Sequence, residues 1–497
     1  MKVVIIGSGL GGLSCGLILS RNGYDVTILE QATQPGGCLQ SFARHGVSFE
    51  TGLHFIGSAD PGQVLHRLLS YLGVMDHLRL SRLDTSGYDV ISLQGRQFRM
   101  ANGREAFIDT LAADFPHQRD ALHRYFDVIT RVASASSLHT LRRAGTDTSA
   151  LTTEYQLRSV DEVVGQLVGD PLLRQVLVGC LPLYAGQRAR TPFATHAFIT
   201  DFYNQSAFRI VGGSACLARA LVSAISRQGG QVVCNHKATS IVCNDTQAVG
   251  VETSSRFFPA DVVIAAIHPA TVISLCGSPL LRPAFRRRVQ ALPATVGCFT
   301  LYLRFKPQTV PYMNHNFYGY CQPSPWDCEC YTPRQWPKGY LYMHCCNSAH
   351  QQWADGAIIL SYMQFSEVAP WQGTSVGHRG DDYLQLKHQR AERLIEAVSH
   401  DFPGLRQAIA GYDTSTPLTY LDYTGTPRGS MYGIARDITL GPAARVHHRT
   451  RVPNLLLAGQ NINSHGILGV LVGTIVTCSE LLTSEHIFNQ IMKESNS

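Results

Sequence analysis

Val3, Val4, Ile5 and Ile6 form an unbroken aliphatic run that ends in a cluster of glycines. A β-branched stretch of this kind predicts a parallel strand buried on both faces. Helical spacing follows from about Gly9 to Ser20, and Asp25 to Leu29 reads as a second strand. The same pattern returns mid-chain. Ala207 to Gly213 predicts a short strand and turn, and Gly230 to Asn235 another strand. Between them Ser214 to Gln228 predicts a helix with Leu217, Leu221, Val222 and Ile225 on its buried face. Asp261 to Ala266 is a further apolar strand. Two helical faces, one through Val64, Leu65, Leu68, Leu69 and Leu72 and one through Val160, Val163, Val164 and Leu167, predict that residues 58–204 are largely helical. Residues 276–449 mix both types, with a strand from Val296 to Phe305, an aromatic sheet region at Tyr318, Tyr320, Tyr340 and Tyr342, and a helix from Asp382 to Ser399. Gly466 to Cys478 is apolar and reads as a buried helix, shorter than the roughly 18 residues of a membrane span.

The glycine cluster reads Gly7-Ser8-Gly9-Leu10-Gly11-Gly12, a GxGxxG between strand and helix. Gly7 permits the tight turn, Gly9 lets a pyrophosphate approach the backbone, and Gly12 lets helix and strand pack closely. Amides at the helix start supply the anion site. Glu30 ends the second strand, where a carboxylate can accept from an adenosine ribose and disfavours the extra phosphate of NADP. FAD and NAD share this logic. Gln34 to Phe42, with Gly36 and Gly37, adds a second close backbone approach directly after the ribose acid, where a simple NAD unit proceeds to another plain crossover.

With Gly16, Gly36-Gly37-Cys38 and Phe49-Glu50-Thr51-Gly52-Leu53-His54-Phe55-Ile56 added to Gly7, Gly9, Gly12 and Glu30, the chain resembles the phytoene desaturase-related flavoproteins. The likeness is closest to the branch of carotenoid isomerases and all-trans-retinol saturases. Asn454-Leu455-Leu456-Leu457-Ala458-Gly459-Gln460, followed by Gly466-Ile467-Leu468-Gly469, resembles the C-terminal FAD-closing motif of that group. The resemblance implies an α/β fold: a Rossmann-like FAD-binding domain of the glutathione-reductase/amine-oxidase type with a discontinuous mixed α+β substrate domain. The expected FAD-binding contributions are 1–57, 205–275 and 450–488, with 58–204 and 276–449 forming the substrate domain. FAD would lie with its pyrophosphate at the Gly7 turn, its ribose at Glu30 and its adenine side at Ala238. Gly36 and Gly37 would pass near the phosphates or ribityl chain, Gly52 and Leu53 near the isoalloxazine, and Gly459 would complete the phosphate environment. The helix start at Gly466 and Ile467 would face the flavin's polar edge and stabilise negative charge there.

The implied activity is an FAD-dependent oxidoreductase acting on carbon–carbon bonds of an apolar polyene or isoprenoid, by saturation, desaturation or redox-neutral isomerisation. A flavin amine oxidase and a non-catalytic flavin-binding protein are the alternatives. His54, within the motif expected near the isoalloxazine, is one catalytic candidate; His465, at the expected helix N-cap where many relatives carry a proline- and glycine-rich turn, is the other. Phe55, Phe202, Tyr420 and Tyr423 are expected to wall the substrate pocket.

Composition narrows these readings. The net charge of +6 is spread over 497 residues, so no nucleic-acid surface is expected, whereas a weakly basic surface is compatible with peripheral membrane contact. Fourteen cysteines diluted over this length fit reduced thiols and a cytoplasmic protein rather than a disulfide scaffold. There is no HExxH, and the Cys328/Cys330 and Cys345/Cys346 pairs lack CxxC spacing, so no metal is expected. No motif specifies the external electron donor or acceptor, or the oligomeric state.

Overall fold

The computed structural model describes residues 1–141 and 154–495. Its first sheet has five parallel strands in the order Gln231–Val233, Asp25–Leu29, Lys2–Ile6, Val262–Ala265 and Leu455–Leu457. Ile5 sits in register between Ile28 and Ile264, and the run from Val3 to Ile6 is buried on both faces. The helix Leu10–Arg21 and the helix Gly466–Leu482 pack together on one side of this sheet. Gly16 makes the approach possible, because a Cβ there would stand 2.5 Å from Ile28 Cδ1.

The second sheet has seven strands, in the order Ile409–Ser415, Gly297–Phe305, Gly356–Met363, Gly339–His344, Asn316–Tyr320, Asp89–Leu93 and Arg96–Met100. All its pairings are antiparallel except that between Asn316–Tyr320 and Asp89–Leu93. Period-two alternation assigns its two faces. Phe299, Leu301 and Leu303 join Leu394, Ile395 and Val398 of the helix Asp381–Asp401. Cys298 and Tyr302 face the opposite way, into a core shared with the helices Arg104–Asp114, Arg119–Ala135 and Phe193–Gln205.

Two details differ from expectation. Residues 58–204 are helical only in part, because Leu80–Arg82, Asp89–Leu93 and Arg96–Met100 are strands, the last two extending the second sheet. Their brevity hid them: three to five residues between turns carry little periodicity. Ala207–Ile210 is a strand as expected, but it pairs with Ile56–Gly57 and Leu80–Arg82 instead of joining the parallel sheet. Residues 142–153, within the expected helical insert, lie outside the described residues.

Candidate functional site

The first strand delivers the chain into the glycine turn. Gly7 has φ +96°, a left-handed conformation that favours glycine. A Cβ on Gly12 would stand 1.9 Å from Gly7 O, so helix and turn meet backbone to backbone. Gly9 differs from both. Its φ of −66° suits any residue, and a Cβ there would meet nothing within 4 Å. The space above it is a groove of about 270 Å³. Gly36 N donates to Ser8 O (3.0 Å), which draws Gly37 against Gly9 along the groove wall.

Glu30 is 7% exposed and fixed at the end of the second strand. Its Oε2 accepts from Ser8 N (3.1 Å) and from the Ser8 hydroxyl, and its Oε1 accepts from Ala32 N (2.8 Å). The turn and the carboxylate are thus one hydrogen-bonded unit, although 22 residues separate them. Lys237 and Ala238 line the groove beside Glu30, and Gly459 and Gln460 enter it from the turn after the last parallel strand. The open backbone at Gly9, the helix start at Leu10 and the immobilised carboxylate fit the pyrophosphate and ribose of a dinucleotide.

Leu10, Cys38, Gln460 and Val470 line both this groove and an inner cavity of about 190 Å³. Gly36, Gly52, Leu53, His54, Gly466 and Ile467 lie on the cavity wall, with Phe55 and Tyr420. Tyr420 is fixed there by donating to Thr51 O (3.1 Å). The glycines Gly7, Gly9, Gly37 and Gly459 line the groove instead, and Gly12 serves helix packing.

Three candidates lie elsewhere. Phe202 belongs to the core around the first sheet, and its carbonyl accepts from Ser58 Oγ (2.7 Å); its neighbour Tyr203 lines the cavity, since adjacent helical positions point about 100° apart. Tyr423 is 55% exposed at an outer groove of about 610 Å³ and at the dinucleotide groove's rim. His465 is the helix N-cap as expected, but its side chain makes no capping bond. Its ring packs on Tyr432 with centroids 4.7 Å apart, behind the cavity wall. Burial, helped by nearby Arg436, pushes it down to about 3, so it is a neutral imidazole and carries no proton to donate as a cation near neutral pH.

Further wall residues come from positions with no local signal. Leu360 and Tyr362 alternate off the strand Gly356–Met363, and Leu341, Met431 and Tyr432 complete that side. Burial holds the phenols of Tyr203, Tyr320, Tyr362, Tyr420 and Tyr432 above their ordinary value. Among the described residues lining the cavity there is no Asp, Glu, Lys or Arg. His54 is its imidazole; Nδ1 has no hydrogen-bond partner among the described residues and lies 3.9 Å from Glu50 Oε2.

A dinucleotide groove that runs into an apolar cavity is the arrangement expected of a redox enzyme of the Rossmann-like α/β class. The family of flavin-containing amine oxidoreductases matches residues 10–472, and the chain belongs to that family. It is an FAD-dependent oxidoreductase. It is 26% identical to the all-trans-retinol 13,14-reductase of Rattus norvegicus, over 99% of this chain and 87% of the other. It is 23% identical to prolycopene isomerase 1 of an Oncidium hybrid cultivar, over 94% and 81%. The crystal structure of an oxidoreductase from Methanosarcina mazei shares the fold with a TM-score of 0.66 at 17% identity, covering 96% of this chain and 99% of that one.

Proposed function

We propose that the protein transfers hydrogen to, from or along carbon–carbon bonds of an elongated apolar polyene or isoprenoid, with FAD as its redox partner. The inner cavity carries this reading: it is aromatic-walled, free of charged lining residues, and meets the dinucleotide groove at Leu10 and Cys38. An ammonium entering such a cavity loses solvation worth several kcal/mol, and aromatic faces return only about 2 kcal/mol. A hydrocarbon instead gains about 0.8 kcal/mol for each CH2 it buries. This balance favours a polyene over the amine of a flavin amine oxidase. The relatives agree in kind, their names carrying retinol and prolycopene. A cavity opening onto the groove also argues against a flavin-binding protein without turnover.

When bound, FAD supplies a two-electron carrier for hydride. In this reading Glu30 accepts from the ribose, the backbone at Gly9 and Gly37 lies along the pyrophosphate, Ala238 borders the adenine side, and Gly459 closes the phosphate environment. Gly52, Leu53, Gly466 and Ile467 border the ring end. Apolar walls orient the substrate and exclude water. His54 holds the proton that accompanies the reaction at Nδ1, with the Glu50 carboxylate close by. Val376, Leu384 and Tyr423 stand exposed around an outer groove that also carries Arg44, Arg379 and Lys387 beside Asp381 and Asp413, an apolar rim suited to peripheral contact with a lipid surface. Fourteen free thiols suit a reducing compartment such as the cytoplasm.

Anaerobic mixing of oxidised and of reduced holoenzyme with a polyene panel tests the reading. Expected is a flavin spectral change coupled to loss of substrate conjugation, with product mass raised or lowered by two hydrogens, or an isomer of unchanged mass. Hydrogen peroxide formation with amines, and no coupling to any polyene, refutes it.

A further inference from the structure

Two thiols meet beside the dinucleotide groove, on the side of Ala238. Cys243 ends the strand Ala238–Cys243, and Cys276 is the C-cap of the helix Pro269–Leu275. Ile241 and Cys276 form an isolated parallel bridge that brings the two backbones together, and Cys243 Sγ and Cys276 Sγ lie 3.7 Å apart. Arg286 fixes one side of the pair. Its Nη2 donates to Cys276 O (2.7 Å) and Ser278 O (2.9 Å), its Nη1 to Ile273 O (2.8 Å) and its Nε to Leu281 O (2.7 Å). The backbone that carries Cys276 is therefore held, and closure to the about 2.05 Å of a disulfide falls to small side-chain rotations.

The two thiols differ in access. Cys276 is wholly buried in a core with Ile241, Val272 and Ile273, whereas Cys243 packs against the edge of that core and is half-buried. A small oxidant reaches Cys243 first, and Cys276 is in place to resolve the product. Burial, and then the Cys276 thiol beside it, pushes Cys243 up to about 12. The first step is therefore slow at neutral pH, and the second is fast because its partner is already in contact. Both elements also carry groove wall: Ala238 lines the groove from the strand, and Thr271 and Leu275 line it from the helix. None of these residues lines the inner cavity, so a link between the elements acts on the cofactor groove whatever the substrate.

We propose that Cys243 and Cys276 form a reversible dithiol–disulfide site that, on oxidation by hydrogen peroxide, staples the Ala238 wall of the dinucleotide groove. Peroxide transfers one oxygen to the Cys243 sulfur, giving a sulfenic acid and releasing water. The Cys276 sulfur then displaces that oxygen; the S–S bond forms, the S–O bond breaks, and a second water leaves. In sum two thiols give up two electrons and two protons, and peroxide is reduced to two waters. Thiol–disulfide exchange with a small reducing thiol restores the pair, so the site suits the transient disulfides of a reducing compartment. The stapled wall opens less readily, and bound FAD leaves more slowly.

Holoenzyme treated with hydrogen peroxide at neutral and at alkaline pH, alkylated and digested without reductant, tests the site by peptide mass. Expected is one dominant link, between the Cys243 and Cys276 peptides, formed faster at alkaline pH and removed by dithiothreitol. Cys15 and Cys478 are also neighbours, but both are wholly buried and are expected to stay reduced. The linked holoenzyme is expected to release FAD roughly threefold more slowly on dilution, followed by flavin fluorescence, because the rigidified wall has fewer open states. Cys243→Ser, at the edge of the core, and Cys276→Ala, within it, are each expected to abolish the link and the peroxide effect on release. Separate alkylation of Cys243 and Cys276 after peroxide treatment overturns the site. A link that leaves FAD release unchanged or faster, or a peroxide effect that survives in either variant, overturns the staple.

Discussion

Gly9 and Gly12 stand three residues apart in one motif, but the structure assigns them opposite sensitivities to the same added methyl. Gly12→Ala forces a Cβ to 1.9 Å from Gly7 O, far inside van der Waals contact and against backbone that cannot rotate away. Overpacking of this kind costs about 1–3 kcal/mol and sometimes more, and a backbone clash belongs at the upper end. Gly9→Ala meets no atom within 4 Å and needs no unusual φ, so the apoprotein is expected to keep wild-type stability to within roughly 1 kcal/mol. Its methyl instead projects into the groove. If a pyrophosphate lies there, it is pushed off the helix start and forfeits about 2 kcal/mol of amide and dipole attraction, or about 30-fold in affinity. Urea denaturation of the two apoproteins and titration of each with FAD, followed by flavin fluorescence, separate the effects. Wild-type FAD affinity in Gly9→Ala, or equal destabilisation of both apoproteins, would refute the assignment of this groove.

Other outcomes follow from the buried titratable groups. The folded-state carboxyl of Asp89 is raised from an ordinary 3.8 to about 7 by burial, so the native protein holds this proton more tightly than the unfolded chain. The contribution is fully present below about pH 3.8 and is lost as pH rises through about 7, about 4 kcal/mol in all. Denaturation of wild type and Asp89→Asn across that window is expected to show the difference shrinking towards acid; parallel curves contradict it. His465→Phe keeps a ring against Tyr432 and removes no proton carrier, so flavin content and the pH profile of kcat are expected to be unchanged, and a hundredfold loss of kcat with flavin retained contradicts this. His54→Phe is expected to keep FAD and lower kcat by about 10²–10⁴ if Nδ1 carries the proton. Stopped-flow reduction at several pH values checks that.

The parts of the fold visible in the sequence are those whose signal is local. Asp25–Leu29 is a strand with the bounds its apolar run predicts, and Ser214 opens a helix where the pattern changes period. Gly356–Met363 is buried on both faces between two cores, so every position is apolar or small and no alternation marks it as a strand. The partner of Ala207–Ile210 depends on Leu80–Arg82, over a hundred residues earlier, and composition does not encode that choice. The same limit governs the site. Groove residues sit in one glycine-rich grammar and could be named, whereas the cavity wall depends on which of two adjacent aromatics, Phe202 or Tyr203, a helix turns inward. Tyr420 is held on that wall by donating to Thr51 O, 369 positions away.

The composition of the parallel sheet has a consequence for how the protein is made. Its central strand Lys2–Ile6 is synthesised well before its neighbour Val262–Ala265, and the far edge waits for Leu455–Leu457, later still. Until then Val263 and Ile264 form an open, aliphatic sheet edge, the kind of surface that recruits chaperones or pairs with other nascent chains. The wall of the nucleotide groove at Gly459 arrives later still. A chain that stops before Leu455 is therefore expected to lack both the edge strand and one wall of the groove, and to hold FAD poorly.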